Sequence, residues 1–284
     1  MVLLDQPQEK DMEMIKGKKL FILDFDGTIY LDDKIIPGAE EFLKIILESG
    51  RDFIFLTNNS SRSGKVYVEK LEAMGIHVSE DRIMTSGKAT ILYLKEQKPD
   101  ARIFLLGTPS LEEEFMEAGF TLLRNREEQP DFVVFGFDKT LTYEKMWMAC
   151  DFILDGAVYI ATHPDLNCPL AGGKYMIDTG SFLKAIEASI NRTPDVIIGK
   201  PSKFIIDIIM KDKGMRKEDL VMVGDRLYTD ILGASNSGIP SILVMSGETI
   251  RETYADSVIK ATYAVNSVAD IGKLLKKEMR NCRK

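Results

Sequence analysis

Phe21-Ile22-Leu23-Asp24-Phe25-Asp26-Gly27-Thr28 closes an apolar run with two carboxylates, a glycine and a hydroxyl. Leu20 to Leu23 reads as a strand buried on both faces, as in a parallel sheet covered by helices. If the chain stays extended, Asp24 and Asp26 point to one side. Gly27 permits a sharp turn, and the Thr28 hydroxyl is expected to fix it. Open α/β sheets bind ligands at the carboxyl ends of their strands. Two carboxylates there call for a metal ion or a shared proton. A calcium loop starting at Asp24 is excluded, because its twelfth position needs a bidentate Glu and holds Ile35. An ordinary turn accounts for Asp26-Gly27 but not for a charge at Asp24 inside an apolar strand.

Outward from this segment, strand-like runs alternate with amphipathic helical stretches, the pattern of βαβ units and a doubly wound α/β fold. Strands are predicted at residues 52–57, 102–106, 132–135, 158–161, 221–224 and 241–245. Helices are predicted at 37–48, 63–74, 86–97, 111–118, 143–154, 181–190, 203–211, 230–236 and 267–278. Residues 162–180 read as an irregular loop, and Asp195-Val196-Ile197-Ile198-Gly199 reads as the strand opening a second βα series. Motif-bearing residues cluster at 24–60 and 199–230. The expected division is therefore a core from residues 1–85 and 195–284, interrupted by an inserted cap at 86–194.

The 284 residues suit two α/β lobes. A net charge of −7, with no dense Lys/Arg stretch, argues against a nucleic-acid surface. Three scattered cysteines, Cys150, Cys168 and Cys282, fit a reducing cytoplasm better than a disulfide framework. Residues 1–17 lack the continuous apolar stretch of a signal peptide, and no apolar run reaches the length of a membrane span. A cytoplasmic protein with no membrane partner is expected.

Four strand ends carry complementary polar groups. Thr57-Asn58-Asn59-Ser60 offers hydroxyl, amide and backbone N–H groups for anionic oxygens, or equally a helix-capping turn. Gly199-Lys200-Pro201 places a Lys where it can hold an anion as a point charge. It is not a Walker A loop, because Pro194 stands where the earlier glycine is required. Val221-Met222-Val223-Gly224-Asp225 repeats an apolar strand ending in a carboxylate. Asp230 follows near a helix start, where the dipole alone would favour it. Together, the acidic strand ends imply a hard divalent cation, most plausibly Mg²⁺. A bridged anion beside a free carboxylate suggests phosphoryl transfer to an Asp.

These residues, in order, resemble the four motifs of the haloacid dehalogenase superfamily: Asp24-Phe25-Asp26-Gly27-Thr28, Thr57, Lys200 and Gly224-Asp225 with Asp230. Leu56-Thr57-Asn58-Asn59-Ser60-Ser61, Gly199-Lys200-Pro201 and Gly224-Asp225-Arg226-Leu227-Tyr228-Thr229-Asp230-Ile231 are similar to its NagD-like, para-nitrophenyl-phosphatase-type branch. So is the position of the insertion, a large α/β cap in that branch. The resemblance runs from about Lys19 to Met279. It implies a Mg²⁺-dependent phosphatase of small phosphate esters (sugar, polyol or nucleotide phosphates, with para-nitrophenyl phosphate as a model substrate). It further implies Asp24 as nucleophile and Asp26 as general acid and base, with Mg²⁺ on the Asp24 carboxylate, the Asp26 backbone carbonyl and Asp225. Thr57, Asn58 and Asn59 would bind phosphoryl oxygens, Lys200 would neutralise charge, and Asp230 would orient Lys200 or a metal-bound water. Asp26 disfavours a dehalogenase, which dispenses with that residue. A homo-oligomer, most simply a dimer, is expected on the same ground.

Residues 162–169 align with the branch's substrate-specificity loop, although Ile177-Asp178-Thr179-Gly180 stands where many relatives carry Pro-Gly-x-Gly. His163 in that loop is a candidate for touching substrate, and His77 reads as structural. The rivals are a phosphotransferase or mutase using the same intermediate and a catalytically silent phospho-metabolite sensor. The sensor would have lost an acidic motif residue, and none is lost here.

Overall fold

The computed structural model describes residues 15–170 and 173–281. Cys282 lies outside them. The chain divides into two compact units. One comprises the described residues up to Leu56, Val68–Ile83 and those from Lys200 onward; the other comprises Thr57–Tyr67 and Met84–Gly199.

The first unit is built on a six-stranded sheet. Its order is Tyr263–Val265, Ser241–Val244, Leu220–Gly224, Leu20–Leu23, Asp52–Thr57 and Ile83–Thr85. The pairings from Tyr263–Val265 through Asp52–Thr57 are parallel. Leu20–Leu23 and Leu220–Gly224 are buried along their whole length, as strands covered on both faces must be. Burial of side chains such as Phe21, Ile22 and Val223 stabilises the unit by roughly 1.5–3 kcal/mol each. The chain's first strand lies inside the sheet, flanked by strands reached in opposite directions, so Asp24 emerges at the topological switch point.

The second unit has a parallel five-stranded sheet of order Val196–Ile197, Val158–Ala161, Phe132–Phe135, Arg102–Leu106 and Thr121–Leu122. Helices Tyr143–Leu154 and Thr179–Ile190 close one core through Met148, Phe152, Leu183 and Ile186 against Phe104, Val133 and Tyr159. Two expectations need correction. Val196–Ile197 does not open the second core series: it pairs with Val158–Ala161 as an edge of this sheet. Residues 162–180 are not wholly irregular, because Asn167–Leu170 and Lys174–Ile177 form an antiparallel hairpin. Among the described residues, no helix is long and apolar enough to cross a membrane.

Candidate active site

The strand carrying the first motif stops at Leu23, and Phe25 organises the turn that follows. Its carbonyl accepts from Thr28 N at 3.2 Å, Ile29 N at 2.9 Å and Tyr30 N at 3.3 Å. Its ring stacks on Phe55 at 4.7 Å and on Tyr30 at 5.7 Å between centroids. The buried aromatic between the two aspartates thus fixes the backbone from which both project. Thr28 does not serve as expected: its hydroxyl is buried without a hydrogen-bond partner, and backbone bonds hold the turn. Gly27 has φ +77°, and a Cβ there would press on the Asp225 carboxylate and lie 2.8 Å from Gly247 Cα. No side chain fits that gap.

Asp24, Lys200, Asp225 and Asp230 converge, and all are buried, with exposures of 7%, 4%, 2% and 0%. Lys200 Nζ donates to Asp24 Oδ1 and Asp230 Oδ1, each at 2.6 Å, and to the Leu56 carbonyl at 3.3 Å. An ammonium has three donors, and these three acceptors match them. Burial alone would lower its pKa, but Asp230 and then Asp24 outweigh that and hold the ammonium well above its ordinary value.

The carboxylates differ in how much of their bonding capacity is used. Asp230 accepts from Lys200 on Oδ1 and from Arg226 N at 3.0 Å on Oδ2. A single π-type turn, Leu227–Ile231, folds it back beneath Gly224, where a Cβ would strike its side chain. Asp225 accepts from Glu248 N at 2.6 Å on Oδ2, while its Oδ1 is buried without a hydrogen-bond partner. Burial first, and then the charge of Asp24, raise both: Asp225 well above the usual carboxylate range and Asp230 to about 6. Oxygens of Asp24, Asp225 and Asp230 lie within 4.8 Å of one another. An orphaned, buried carboxylate oxygen in an all-oxygen acidic cluster fits a hard divalent cation, with Asp225 as the side chain with an oxygen to spare.

Asp26 is exposed, unlike Asp24, because the chain has left the strand between them. The protein around it still desolvates its carboxyl enough to raise the pKa, and Asp24 adds to the rise against Lys70 and Arg226. A raised carboxyl suits a proton donor. Arg226 was quoted in the sequence only as part of a motif. The structure makes it a partly buried cation of this cluster, paired to Glu248 at 3.1 Å; desolvation would lower its pKa, but Asp24, Tyr228, Asp225 and Glu248 together outweigh that and raise it. Its signal was its place directly after Asp225.

Thr57, Asn58 and Asn59 fall in the second unit, and their side chains shape their own loop. Thr57 Oγ1 accepts from Asn59 N at 3.1 Å, and Asn59 Oδ1 accepts from Ser61 N at 2.9 Å and Ser61 Oγ at 2.8 Å. Asn58 Nδ2 donates to both oxygens of Asp165 at 3.2 Å. This is an Asx-type loop rather than a helix cap, since the following helix starts only at Gly64. His163, the loop's candidate for touching substrate, is fully buried and bonded to Thr162 and Asp178. His77 is exposed.

Two family signatures match the chain: a haloacid dehalogenase-like hydrolase over residues 21–121 and a HAD-hydrolase-like segment over 197–271. A 5'-nucleotidase, YutF of Bacillus subtilis, is 34% identical over 90% of this chain and 98% of its own length. The chain belongs to the haloacid dehalogenase-like hydrolases. An acid sugar phosphatase of Staphylococcus aureus is 32% identical over 88% of this chain and 95% of its own. The crystal structure of a 4-nitrophenylphosphatase from Thermotoga maritima superposes with a TM-score of 0.87 at 46% identity, covering 92% of this chain and 98% of that one. A p-nitrophenyl phosphatase from Archaeoglobus fulgidus gives 0.85 at 33% identity, covering 90% and 98%. This haloacid dehalogenase-like hydrolase is accordingly a phosphoric monoester hydrolase of the NagD-like type, with an α/β core and an inserted α/β cap.

Proposed function

We propose that the enzyme hydrolyses small phosphorylated metabolites (sugar, polyol or nucleotide phosphates, and para-nitrophenyl phosphate as a model) with Mg²⁺, through a phosphoryl group carried on Asp24. The observation that supports this most is the shared cation: Lys200 lies 2.6 Å from both Asp24 and Asp230 while Asp225 keeps one oxygen without a partner. Lys200 pairs with Asp24 at 2.6 Å and aims it, so the carboxylate can attack phosphorus. Asp26, its carboxyl raised, gives its proton to the departing alkoxide. As a carboxylate it then takes a proton from the water that cleaves the acyl phosphate. Residues 57–59 hold phosphoryl oxygens. Asp230 steadies Lys200 and the Arg226 backbone. Bound to Asp24, the Asp26 carbonyl and Asp225, Mg²⁺ would neutralise charge on the phosphoryl oxygens.

Names of relatives that point to nucleotides, sugar phosphates and nitrophenyl phosphate support this substrate class. The net charge of −7 speaks for small-molecule rather than nucleic-acid substrates. Cys150 and Cys168, partly buried and not joined in a disulfide, suit a cytoplasmic setting. The homodimer in this reading rests on the family resemblance, and sedimentation tests it. For the chemistry, phosphate release is measured across a panel of esters with and without Mg²⁺, for the wild type and Asp24→Asn. Turnover should need the metal and vanish in the variant. Release by Asp24→Asn at a tenth of the wild-type rate would sink the nucleophile assignment. Transfer of phosphate to an added alcohol in preference to water would favour a phosphotransferase.

A further inference from the structure

His163 is the hub of a buried polar network within the second unit that no catalytic role above uses. Its Nε2 lies 2.9 Å from Asp178 Oδ1, and its Nδ1 lies 2.9 Å from Thr162 Oγ1 and 3.4 Å from Ser86 Oγ. From there two routes reach the 57–61 loop. Thr162 Oγ1 is 3.1 Å from Ser60 Oγ, which also accepts from Phe137 N at 2.9 Å. Ser86 Oγ donates to the Asn58 carbonyl. A third tie, Asp165 to the Asn58 amide, closes the circuit, since oxygens of Asp165 and Asp178 and a His163 nitrogen lie within 4.8 Å of one another. His163, Thr162, Ser60 and Ser86 are all 0% exposed. Gly199 leaves no slack, because a Cβ there would lie 2.6 Å from Asn58 Oδ1 and 2.7 Å from the Thr162 carbonyl.

We propose that the His163–Asp178 pair is a positioning device for the 57–61 loop, setting through Thr162 and Ser86 where that loop presents its phosphoryl-binding groups. The proposal rests on the reading of residues 57–59 as the phosphoryl holder. Its working state is the imidazolium. Both ring nitrogens then donate, Nε2 to Asp178 and Nδ1 to Thr162, leaving the Thr162 hydroxyl free to donate to Ser60. Loss of the proton turns Nδ1 into an acceptor and reverses that chain. The charged groups facing the ring are Asp178 and Asp165. Burial pushes the imidazole down, but the hydrogen bond and charge of Asp178, with Asp165, outweigh it and raise the pKa.

Asp178→Asn separates charge from structure. Asp178 caps the Thr179–Ile190 helix by accepting from Thr179 N at 2.6 Å, and Asn caps about as well as Asp. In Mg²⁺ buffer, the full-length variant should show a Ki for inorganic phosphate, and KM values for para-nitrophenyl phosphate and a sugar phosphate, all raised by one common factor of about tenfold. Side-chain ¹⁵N spectra follow the chain's two histidines, with His77→Gln assigning them. The pKa of His163 should fall in Asp178→Asn, because the hydrogen bond and charge of Asp178 raise it in the wild type. The alkaline limb of kcat/KM should move with it. Thr162→Val should raise the same constants while the pKa of His163, still bonded to Asp178, stays raised. Unchanged phosphate affinity in a folded Asp178→Asn, or losses that differ with the leaving group, would overturn the proposal. Unchanged phosphate affinity in Asn58→Ala would instead overturn the assignment of the loop itself, and the positioning role with it.

Discussion

Lys200→Met probes the cluster most directly. The variant keeps an unbranched apolar stem of similar length and deletes only the ammonium. Asp24, Asp225 and Asp230 then stand with oxygens within 4.8 Å of one another and without their shared cation. Removing one partner of a buried pair costs about 3–5 kcal/mol. At about 2–4 °C per kcal/mol for a unit of this size, melting should fall by roughly 6–20 °C in metal-free buffer at pH 8. The two units can melt separately, and only the transition of the unit holding Lys200 should move. The loss should shrink at pH 5, where the stranded carboxylates take up protons. It should also shrink at pH 8 on adding Mg²⁺, which supplies the missing positive charge. Differential scanning calorimetry in the presence of a chelator is the assay. A melting temperature within about 2 °C of the wild type at pH 8 without metal would refute the claim that Lys200 is the counter-charge of this cluster.

Three further outcomes follow from the same geometry. Asp225→Ala should weaken Mg²⁺ binding by calorimetric titration far more than Asp230→Ala, because Asp225 has the unpartnered oxygen and both oxygens of Asp230 already accept from protein donors; the reverse order would exchange their roles. Gly27→Ala should destabilise the protein by about 1–3 kcal/mol in denaturant and impair metal binding, since its φ is +77° and its Cβ would displace Asp225; an unchanged unfolding midpoint contradicts this. The carboxyl of Asp230, raised to about 6, holds its proton in the folded protein after the unfolded chain has released it near pH 4. The folded state binds more protons in that window, so this group's contribution to metal-free stability falls as pH rises from about 4 to about 6. The slope should be reduced in Asp230→Asn, and equal slopes in urea unfolding for the two proteins would show that Asp230 is not its source.

Legibility from sequence followed burial. Asp52–Thr57, Arg102–Leu106, Phe132–Phe135 and Val158–Ala161 match the predicted strands to the residue, because continuous apolar runs bounded by turns mark interior parallel strands. Ile83–Thr85 and Tyr263–Val265 are short edge strands at the two ends of the sheet and carry too few apolar residues to stand out. The 167–177 hairpin contains a proline, and its exposed Tyr175 and Ile177 give no buried face to detect. Apolarity made Val196–Ile197 a strand but could not say which sheet it joins, since that is set by a distant neighbour. The acidic strand ends and Lys200 were legible because charges beside apolar runs need a partner. The dual grip of Lys200 on Asp24 and Asp230, the unpartnered Asp225 oxygen and the network around His163 join residues far apart along the chain, and no local pattern encodes them.

The interleaving of the two units has a consequence for recombination. A graft that exchanges only residues 86–194 would bring a foreign sheet while retaining the old Val196–Ile197 edge and the old 57–67 segment. Ser60 would then face a donor's residues in place of Thr162 and Phe137, and Asn58 in place of Asp165. Crossover points that keep these contacts intact therefore lie at 56/57, 67/68, 83/84 and 199/200. An exchange of the second unit must carry residues 57–67 together with 84–199, two stretches separated along the chain but packed as one body.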